Sequence, residues 1–532
     1  MKNPIASLGL GGLLLTLLSL SPGASGSSAS SDGDGAQPHS GGEVNIAIQP
    51  EPPSLMLPLV QNNPVQLIGG NIFESLLRYS TDLEPMPQLA KSWEIGDDGL
   101  TYTFHLYDNV VWHDGEPFSA EDVVFSVGFM TEVEPQARET MSHVERIETP
   151  DANTVVFHLK QPYPAFIMAF EVGSMPMVPK HIYEGTDYHN NPANAHPIGT
   201  GPFEFERWDR GSVIVLSKNE DYYQEGLPYL DTLYWHVIPD AASRAAAYEN
   251  GTLDVLPAGS VENFDLERLA DLPGSCITNQ GSEMFNPFAM LWLNNREGPM
   301  SDVRFRKAVM YALDRQFAND VLWNGLGRIP AGPFSSKLPE HDDSIEAYPH
   351  DPEQARALLD EMGYNGEQIR LLPLPYGETW ARWSEAVRQN LEDAGINVTT
   401  EATDVAGWNQ AISQWDYDIA FTYLYQYSDP SIGISRTYNS DNIARGSPWN
   451  NVEGYRNERV DELFAAAAVE ADPEARQQLY SEVQQILHEE VPLAWLLEMP
   501  QPVIHGCDVH NLITTGIGIS DGFKNAWIES GD

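Results

Sequence analysis

The sequence predicts an α/β protein with more than one domain. Its 532 residues, of which 42% are hydrophobic, are enough for two or three domains with sizeable cores. Helical and extended patterns alternate through the second half of the chain, which is typical of an α/β lobe. Short strands separated by turns follow one another closely in the first half, which predicts hairpins there.

The N-terminal residues 1–26 have the features of a secretory signal peptide. Lys2 precedes an apolar run from Leu8 to Leu20 that is too short to span a bilayer. No cysteine lies near the expected cleavage site, so we expect a soluble periplasmic protein without a lipid anchor. Residues 27–42 are rich in Gly and Ser and predict a flexible linker.

The first clear hairpin is predicted downstream of this linker. A strand at 93–95 and an alternating strand at 102–106 flank the turn residues 97–99. Further on, Ser119 is placed to cap a helix, with Asp122 three residues later as its capping-box partner.

Residues 197–254 contain a second ordered series of turns and strands. Alternating apolar residues at 203–205 and 213–215 predict strands on either side of a turn at 209–211. A strand at 232–238 and a short alanine-rich helix complete the series.

Helices in the second half carry recognisable start signals. Asp351–Pro352 and Asp472–Pro473 each place a capping residue before a proline in the first turn, and Gly363 ends the former helix. A further apolar face is predicted on a helix over 380–391. Ser301 is predicted to begin one helix with an apolar stripe at Phe305, Val309, Leu313, Phe317 and Val321.

The charge composition excludes some classes of partner. The net charge is −48, from 77 acidic and 29 basic residues, so binding to nucleic acid or to an anionic membrane through a basic patch is not expected. We interpret the excess as a solvated acidic surface suited to high salt, where the Debye length falls to about 3 Å near 1 M.

Motifs for catalysis, cofactors or metals are not found in the sequence. It has no nucleophile elbow, zinc-protease motif, phosphate-binding loop or dinucleotide fingerprint, and its 14 histidines lie at no metal-ligand spacing. We therefore expect no cofactor, no metal and no enzymatic activity. The sequence contains only two cysteines, Cys276 and Cys507, which is too few for a thiolate zinc cluster. It leaves open whether these two cysteines form a disulfide.

Two segments resemble the family 5 extracellular solute-binding proteins, the peptide and nickel class of ABC-transporter receptors. They are residues 89–126 (LAKSWEIGDDGLTYTFHLYDNVVWHDGEPFSAEDVVFS) and residues 197–254 (PIGTGPFEFERWDRGSVIVLSKNEDYYQEGLPYLDTLYWHVIPDAASRAAAYENGTLD). The resemblance implies a two-lobed periplasmic-binding-protein fold of type II with an extra inserted domain and a ligand cleft between the lobes. The implied boundaries are 43–78, 191–280 and 500–532 for lobe 1, 79–190 for the inserted domain and 281–499 for lobe 2.

The resemblance also implies a function. The protein would be a monomeric receptor of an ABC importer, capturing a peptide or peptide-like solute by lobe closure and delivering it to a membrane permease. Alternatives are a receptor for an oligosaccharide or other uncharged solute, a receptor for a metal or metallophore, and a secreted hydrolase.

Candidate ligand-binding residues cluster near the end of one aromatic strand. Strand alternation places Tyr423, Tyr425 and Tyr427 on one face, close to the turn at Asp429. Asp429 could instead cap that turn, which we consider its more common role. The predicted ligand-binding set is Tyr425, Gln426, Tyr427, Asp429, Trp408, Tyr423 and Ser54.

The same strand departs from the peptide-binding relatives that the chain resembles. Those relatives carry an Asp that captures the peptide ammonium, and either alignment of this segment puts Gln426 or Tyr427 at that position. A buried ammonium without a carboxylate partner would cost several kcal/mol. The usual residues of the strand therefore do not provide for the capture of a zwitterionic peptide.

Overall fold

The structure, a computed structural model, describes residues 37–446 and 449–529. Its strands, in chain order, are β1 (Glu43–Ile48), β2 (Leu77–Tyr79), β3 (Pro85–Pro87), β4 (Ala90–Ile95), β5 (Thr101–Leu106), β6 (Val144–Asp151), β7 (Thr154–Leu159), β8 (Phe203–Asp209), β9 (Val213–Lys218), β10 (Thr232–Val237), β11 (Val255–Leu256), β12 (Ser275–Thr278), β13 (Phe285–Leu293), β14 (Ile369–Leu372), β15 (Val398–Thr400), β16 (Ile419–Tyr427), β17 (Leu493–Glu498), β18 (Val503–Gly506), β19 (Val509–His510) and β20 (Trp527–Ile528).

The helices lie between these strands, and most of the long ones follow β13. In chain order they are α1 (Asn63–Gly69), α2 (Ala120–Val133), α3 (Pro135–Ser142), α4 (Lys180–Tyr183), α5 (Ala241–Glu249), α6 (Asn263–Ala270), α7 (Val303–Ala312), α8 (Arg315–Leu322), α9 (Pro352–Met362), α10 (Glu378–Asp393), α11 (Val405–Gln414), α12 (Pro430–Gly433), α13 (Ser435–Tyr438), α14 (Glu458–Val469) and α15 (Pro473–Glu490). Short 3-10 helices lie at Pro164–Ala169, Tyr188–Asn190, Pro192–Ala195, Pro299–Ser301, Ser440–Asn442 and Gly518–Ser520.

A seven-stranded mixed sheet is the centre of the first lobe. Its strand order is β12-β18-β11-β1-β10-β9-β8, and β1 runs parallel to both of its neighbours. The predicted hairpin of residues 203–215 forms its edge, where β8 and β9 pair antiparallel around the turn at Gly211. This prediction is confirmed.

A separate four-stranded antiparallel sheet, in the order β4-β5-β7-β6, lies between β1 and β8 in the chain. It contains the hairpin predicted at residues 93–106, in which Trp93 pairs with Phe104. Ser119 and Asp122 form the predicted capping box at the start of α2. Both local predictions are confirmed.

The second lobe is built on a five-stranded sheet in the order β15-β14-β16-β13-β17. The long strands β13 and β16 pair antiparallel over nine residues each, and every residue of β17 is buried. Helix α10 covers this sheet with Trp380, Trp383, Val387 and Leu391, all buried as the sequence predicts.

One helix prediction is wrong. The stripe predicted from Ser301 to Val321 belongs to two helices, α7 and α8, because Leu313 is extended and Asp314 caps a new helix by accepting from the Phe317 backbone N–H at 2.9 Å. The restart rotates the second helix, which leaves Phe317 49% and Val321 56% exposed.

Two short segments connect the lobes. The chain leaves the seven-stranded sheet after β12, enters β13, and returns from β17 into β18. The segments are tied together by a hydrogen bond of 2.7 Å from the Gln501 backbone N–H to Asn279 Oδ1. Cys276 and Cys507 form a disulfide beside the pairing of β12 with β18, which resolves the question that the sequence left open.

Several expectations stay predictions. The signal peptide at 1–26 and most of the linker at 27–42 lie outside the described residues. The domain boundaries named above are not tested by the sheet topology alone. None of the helices in the described part of the chain has the length and apolar character that crossing a membrane requires.

Candidate functional site

A cavity of about 440 Å³ lies between the two lobes. Its volume falls within the roughly 300–1,000 Å³ of small-molecule sites. The first lobe contributes Leu57, Gln61, Asn62, Asn63, Gln66, Leu67, Pro257, Ala258, Val503, Ile513, Ile517, Gly518, Ile519 and Ser520. The segment that the sequence assigns to the inserted domain contributes Glu134, Gln136, Glu171, Val172, Gly173 and Ser174. The second lobe and the two connections contribute Gln280, Gly281, Ser282, Phe285, Pro287, Tyr425, Tyr427 and Gln501.

The second-lobe wall consists of two cross-strand pairs. Phe285 lies opposite Tyr427, and Pro287 lies opposite Tyr425, on the paired strands β13 and β16. Because side chains alternate along a strand, these four residues share the face that meets the cavity. The Phe285 and Tyr427 rings meet edge to face at 5.5 Å, and Tyr425 is 42% exposed. This wall presents aromatic surface to a solute.

The wall opposite the aromatic strand carries a buried carboxyl group. Glu171 is only 2% exposed, and burial raises the pKa of its carboxyl to about 7. One oxygen, Oε2, accepts from the Gly173 backbone N–H at 2.5 Å. The other oxygen, Oε1, makes no hydrogen bond of ordinary geometry among the described residues, although the Ser174 hydroxyl and N–H lie close enough to lower the pKa of the carboxyl. An unpaired buried acceptor of this kind is unusual in a folded protein.

Amides and carboxyls supply most of the polar lining, and cationic side chains are missing from it. Among the described residues, the lining holds no lysine, arginine or histidine. Lys337 lies next to the lining residue Ser282, and its ammonium group donates to Ser282 Oγ at 3.0 Å and to Glu283 Oε1 at 3.1 Å. The amides are Gln61, Asn62, Asn63, Gln66, Gln136, Gln280 and Gln501.

The lobe connections form part of the cavity and are closely packed. Gly281 has a φ of +88°, and a Cβ built there would lie 2.5 Å from the Gly518 Cα. Only glycine fits both the conformation and the contact. The connection that lines the cavity is therefore held directly against the C-terminal part of the first lobe.

Tyr425 and Tyr427 are the predicted site residues that the structure places on the cavity, and Gln426 requires a correction. Its side chain lies on the opposite face of β16, where Nε2 donates to Pro333 O and Oε1 accepts from the Ser335 N–H, both at 2.7 Å. The pleat that brings the two tyrosines to the cavity necessarily turns the residue between them away.

Asp429 is also placed away from the cavity. Its carboxylate accepts from the Ser431 backbone N–H at 2.9 Å, which caps α12, and it pairs with Arg476. The structure thus supports the alternative that the sequence offered, in which Asp429 caps the turn.

The remaining predicted residues do not line the cavity either. Trp408 is fully buried and stacks on Trp292 in the second-lobe core. Tyr423 stacks on Trp380, one position back from Tyr425 along the same strand face. Ser54 lies in a separate surface groove, where its Oγ accepts from the Met56 N–H at 3.0 Å.

Sequence reasoning missed Glu171. It searched for a carboxylate on the aromatic strand, whereas the buried carboxyl comes from the opposite wall. A signal was present, because Glu171 is the only charged residue between Ala165 and Val178. A single carboxyl within such an apolar stretch indicates a buried group with a specific role.

No group of three or more His, Cys, Asp and Glu side chains within residues 37–446 and 449–529 is arranged to hold a metal ion. The cavity therefore offers an aromatic wall, an amide-rich lining and one unpaired carboxyl oxygen. These groups can bind an organic solute through stacking and hydrogen bonds.

Comparison with known proteins identifies the family. Residues 84–445 match the model of the bacterial extracellular solute-binding proteins, family 5. A heme-binding protein A of Haemophilus influenzae is 26% identical over 479 residues, which cover 84% of each chain. A probable D,D-dipeptide-binding periplasmic protein of Escherichia coli is 26% identical over 440 residues, covering 80% of this chain and 82% of that one.

Solved structures give the same result. The periplasmic binding protein DppA of Helicobacter pylori, in complex with the peptide STSA, is 26% identical and superposes with a TM-score of 0.75 over 92% of this chain and 99% of that one. These relatives are solute-binding proteins, and their fold is the two-lobed one described above. The chain belongs to the family 5 bacterial extracellular solute-binding proteins.

Proposed function

We propose that this protein is the solute-binding receptor of an ABC importer and that it captures a peptide or peptide-like solute between its lobes. The observation that carries the proposal is the cavity of about 440 Å³ whose walls come from both lobes and from both connections. A solute held there contacts both lobes at once, so its binding favours the closed arrangement over the open one.

Closure links binding to transport. The two connections are short and tied to each other by the bond between Gln501 and Asn279, so the lobes can rotate about a single narrow region. The closed form would present a surface of both lobes to a membrane permease powered by an ATPase. The receptor itself would work as an exported, soluble monomer and carry out no chemistry on the solute.

The lining favours a peptide-like solute. Amide side chains pair well with peptide N–H and C=O groups, and Tyr425 and Tyr427 offer aromatic faces to side chains. Two relatives, those from Escherichia coli and Helicobacter pylori, are named for or bound to peptides.

A second candidate is an uncharged polar solute such as an oligosaccharide. The amide-rich lining without a cationic side chain supports this alternative, because amides and aromatic rings are also suited to sugar hydroxyls and sugar faces. A directly bound metal has less support, because the described residues hold no ligand group of three or more.

Thermal-shift and calorimetric titrations test the proposal. The purified protein is screened with a random tripeptide library, a set of trisaccharides and chelated nickel and iron. A peptide receptor is expected to be stabilised by the tripeptides and to leave them intact, as mass spectrometry would show. Stabilisation by trisaccharides alone would favour the second candidate, and cleavage of the peptides would contradict a pure receptor.

A further inference from the structure

Glu171 lines the cavity with a carboxyl group that has no cationic partner in the lining, and its nearest donors are the N–H groups of Gly173 and Ser174 and the Ser174 hydroxyl. Glu171 is 2% exposed, and Oε1 makes no hydrogen bond of ordinary geometry among the described residues, while Oε2 is held by the Gly173 N–H. An unpaired buried acceptor costs about 1–3 kcal/mol, and more if it is charged. A solute that donates to this oxygen recovers that cost.

Gly173 keeps the space in front of the carboxyl open. A Cβ built on it would lie 3.0 and 3.2 Å from the two oxygens of Glu171 and 3.4 Å from Gln66 Nε2. Its backbone φ does not lie in the left-handed region, so conformation alone does not require glycine there. The absent side chain leaves room for a group of about atomic size between the carboxyl and the Gln66 amide.

No cationic side chain in the described lining is available to pair with the Glu171 carboxyl. Two basic groups that contact lining residues are engaged elsewhere. Lys337 binds Ser282 and Glu283, and Arg436 lies over the Tyr427 ring and contacts the Gly433 carbonyl oxygen. A buried carboxyl without a positive partner in the protein stays protonated unless a ligand brings the positive partner.

We propose that Glu171 binds a cationic nitrogen of the transported solute, such as the free ammonium of a peptide-like compound. This inference rests on the proposed function and narrows its substrate class to amine-bearing solutes. The ammonium partner thereby comes from the segment between β7 and β8, opposite the aromatic strand that the sequence indicated.

The pairing makes capture depend on pH. Glu171, whose pKa burial raises to about 7, must lose its proton to pair with an ammonium. The titratable groups near it are Tyr79, Tyr427 and Asp521. Asp521 pairs with Arg78 at 2.5 Å and lies near the buried Lys524, and Glu134 lies near Tyr427. An α-amino group itself deprotonates near pH 8, so affinity is expected to be highest between about pH 7 and 8.

The test uses two tripeptide libraries, both amidated at the C-terminus, one with free amino termini and one N-acetylated. Native mass spectrometry identifies the tightest free-amine peptide, and calorimetry measures it with and without acetylation. Wild type is expected to prefer the free amine by at least about tenfold, and Glu171→Gln to lose most of that preference. Below about pH 7 the affinity of wild type should fall by up to tenfold per pH unit. The affinity of Glu171→Gln should not fall with pH in this range.

Glu453→Gln is the matched control. Glu453 is another buried carboxyl with a raised pKa and unpaired oxygens, but it does not line the cavity. Glu453→Gln should keep the preference for the free amine and the fall of affinity below about pH 7. Gly173→Ala, which fills the space before the carboxyl, should weaken free-amine binding as Glu171→Gln does. Thermal unfolding of each variant separates these effects from misfolding.

The outcomes separate this inference from the proposed function. If Glu171→Gln prefers the free amine as strongly as wild type, or if wild type binds acetylated and free peptides equally, the inference is overturned and the peptide receptor stands. If neither library binds to wild type, the peptide receptor is itself overturned and the inference falls with it.

Discussion

Asp429 and Arg476 form a buried ion pair directly behind the aromatic strand. Nη2 of Arg476 lies 2.9 Å from Oδ1 and 2.8 Å from Oδ2 of Asp429, and the two side chains are only 6% and 9% exposed. The same guanidinium also reaches Glu340 at 2.6 Å. The pair ties the end of β16 to α15 and so positions the strand that carries Tyr425 and Tyr427.

Asp429→Ala should therefore destabilise the second lobe strongly. Removing one partner of a buried ion pair costs about 3–5 kcal/mol when the remaining charge is left unpaired. Arg476 keeps its contact with Glu340, so we expect the loss of the pair, together with the loss of the α12 cap, to fall near the lower end of that range. Urea unfolding measures the difference in free energy of unfolding. Asp416→Ala is the control, because Asp416 also pairs with an arginine but its side chain is 70% exposed, and it should change stability by less than about 1 kcal/mol. Equal losses in the two variants would contradict the assigned role.

Tyr425→Ala should weaken solute binding by at least about tenfold without lowering the melting temperature appreciably, because the ring contributes contact area to the cavity wall. Tyr376→Ala is a matched control. Both tyrosines are 42% exposed, but only Tyr425 lines the cavity. Calorimetry with the tightest tripeptide measures the affinities, and similar losses in both variants would place the binding surface elsewhere.

Gln426→Ala should affect stability more than affinity. Its amide bridges Pro333 O and the Ser335 N–H, and removal leaves both of these buried groups unpaired, at a cost of about 1–3 kcal/mol each. Chemical unfolding and ligand titration on the same sample separate the two effects. A variant with normal stability and lost binding would restore Gln426 to the ligand-binding set.

Glu453→Gln should stabilise the protein increasingly as the pH rises. Burial raises the pKa of Glu453 from its ordinary 4.5 to about 8. A carboxyl with a raised pKa in the folded state contributes its stability at low pH, and that contribution is lost between about pH 4.5 and pH 8. Each pKa unit is worth ~1.4 kcal/mol, so the variant should gain up to several kcal/mol over wild type near pH 8 and little near pH 4.5.

The comparison is made by urea unfolding at several pH values. Glu378→Gln serves as the control, because the Glu378 side chain is 72% exposed, and its pH profile should run parallel to that of wild type. A Glu453→Gln profile that also runs parallel to wild type would show that this carboxyl does not titrate as its burial predicts.

Salt should stabilise the protein. With a net charge of −48, the folded chain repels itself at low ionic strength, and salt screens that repulsion. We expect the melting temperature to rise steadily between about 0.05 and 2 M NaCl, where the Debye length falls below about 3 Å. Potassium chloride should act in the same way, and a falling melting temperature would contradict a surface suited to high salt.

Local signals predicted local structure well. The capping box of Ser119 and the aspartate-proline starts at Asp351 and Asp472 all proved to begin helices, because each depends only on residues within one turn. The break at Leu313 was missed, because an apolar residue at helical spacing gives no sign that the next aspartate starts a new helix.

The site was harder to predict, because its walls come from distant parts of the chain. Tyr425 and Tyr427 could be found from one strand and its alternation. Glu171 could not be matched to them, because nothing local indicates that a residue of the segment between β7 and β8 faces a strand of the second lobe. The inclusion of Gln426 was a different error, since strand alternation alone already places it on the opposite face.

The strand Val503–Gly506 has a consequence for the order of assembly. It lies between β11 and β12 in the seven-stranded sheet, and both of these strands pair with it. The sheet that starts with Glu43 therefore remains divided until almost the last residues have been synthesised. A chain that ends before Val503 lacks the strand that joins β11 to β12, and it also lacks the cavity-lining residues Val503, Ile513 and Ile517 to Ser520, so it cannot form the complete binding site.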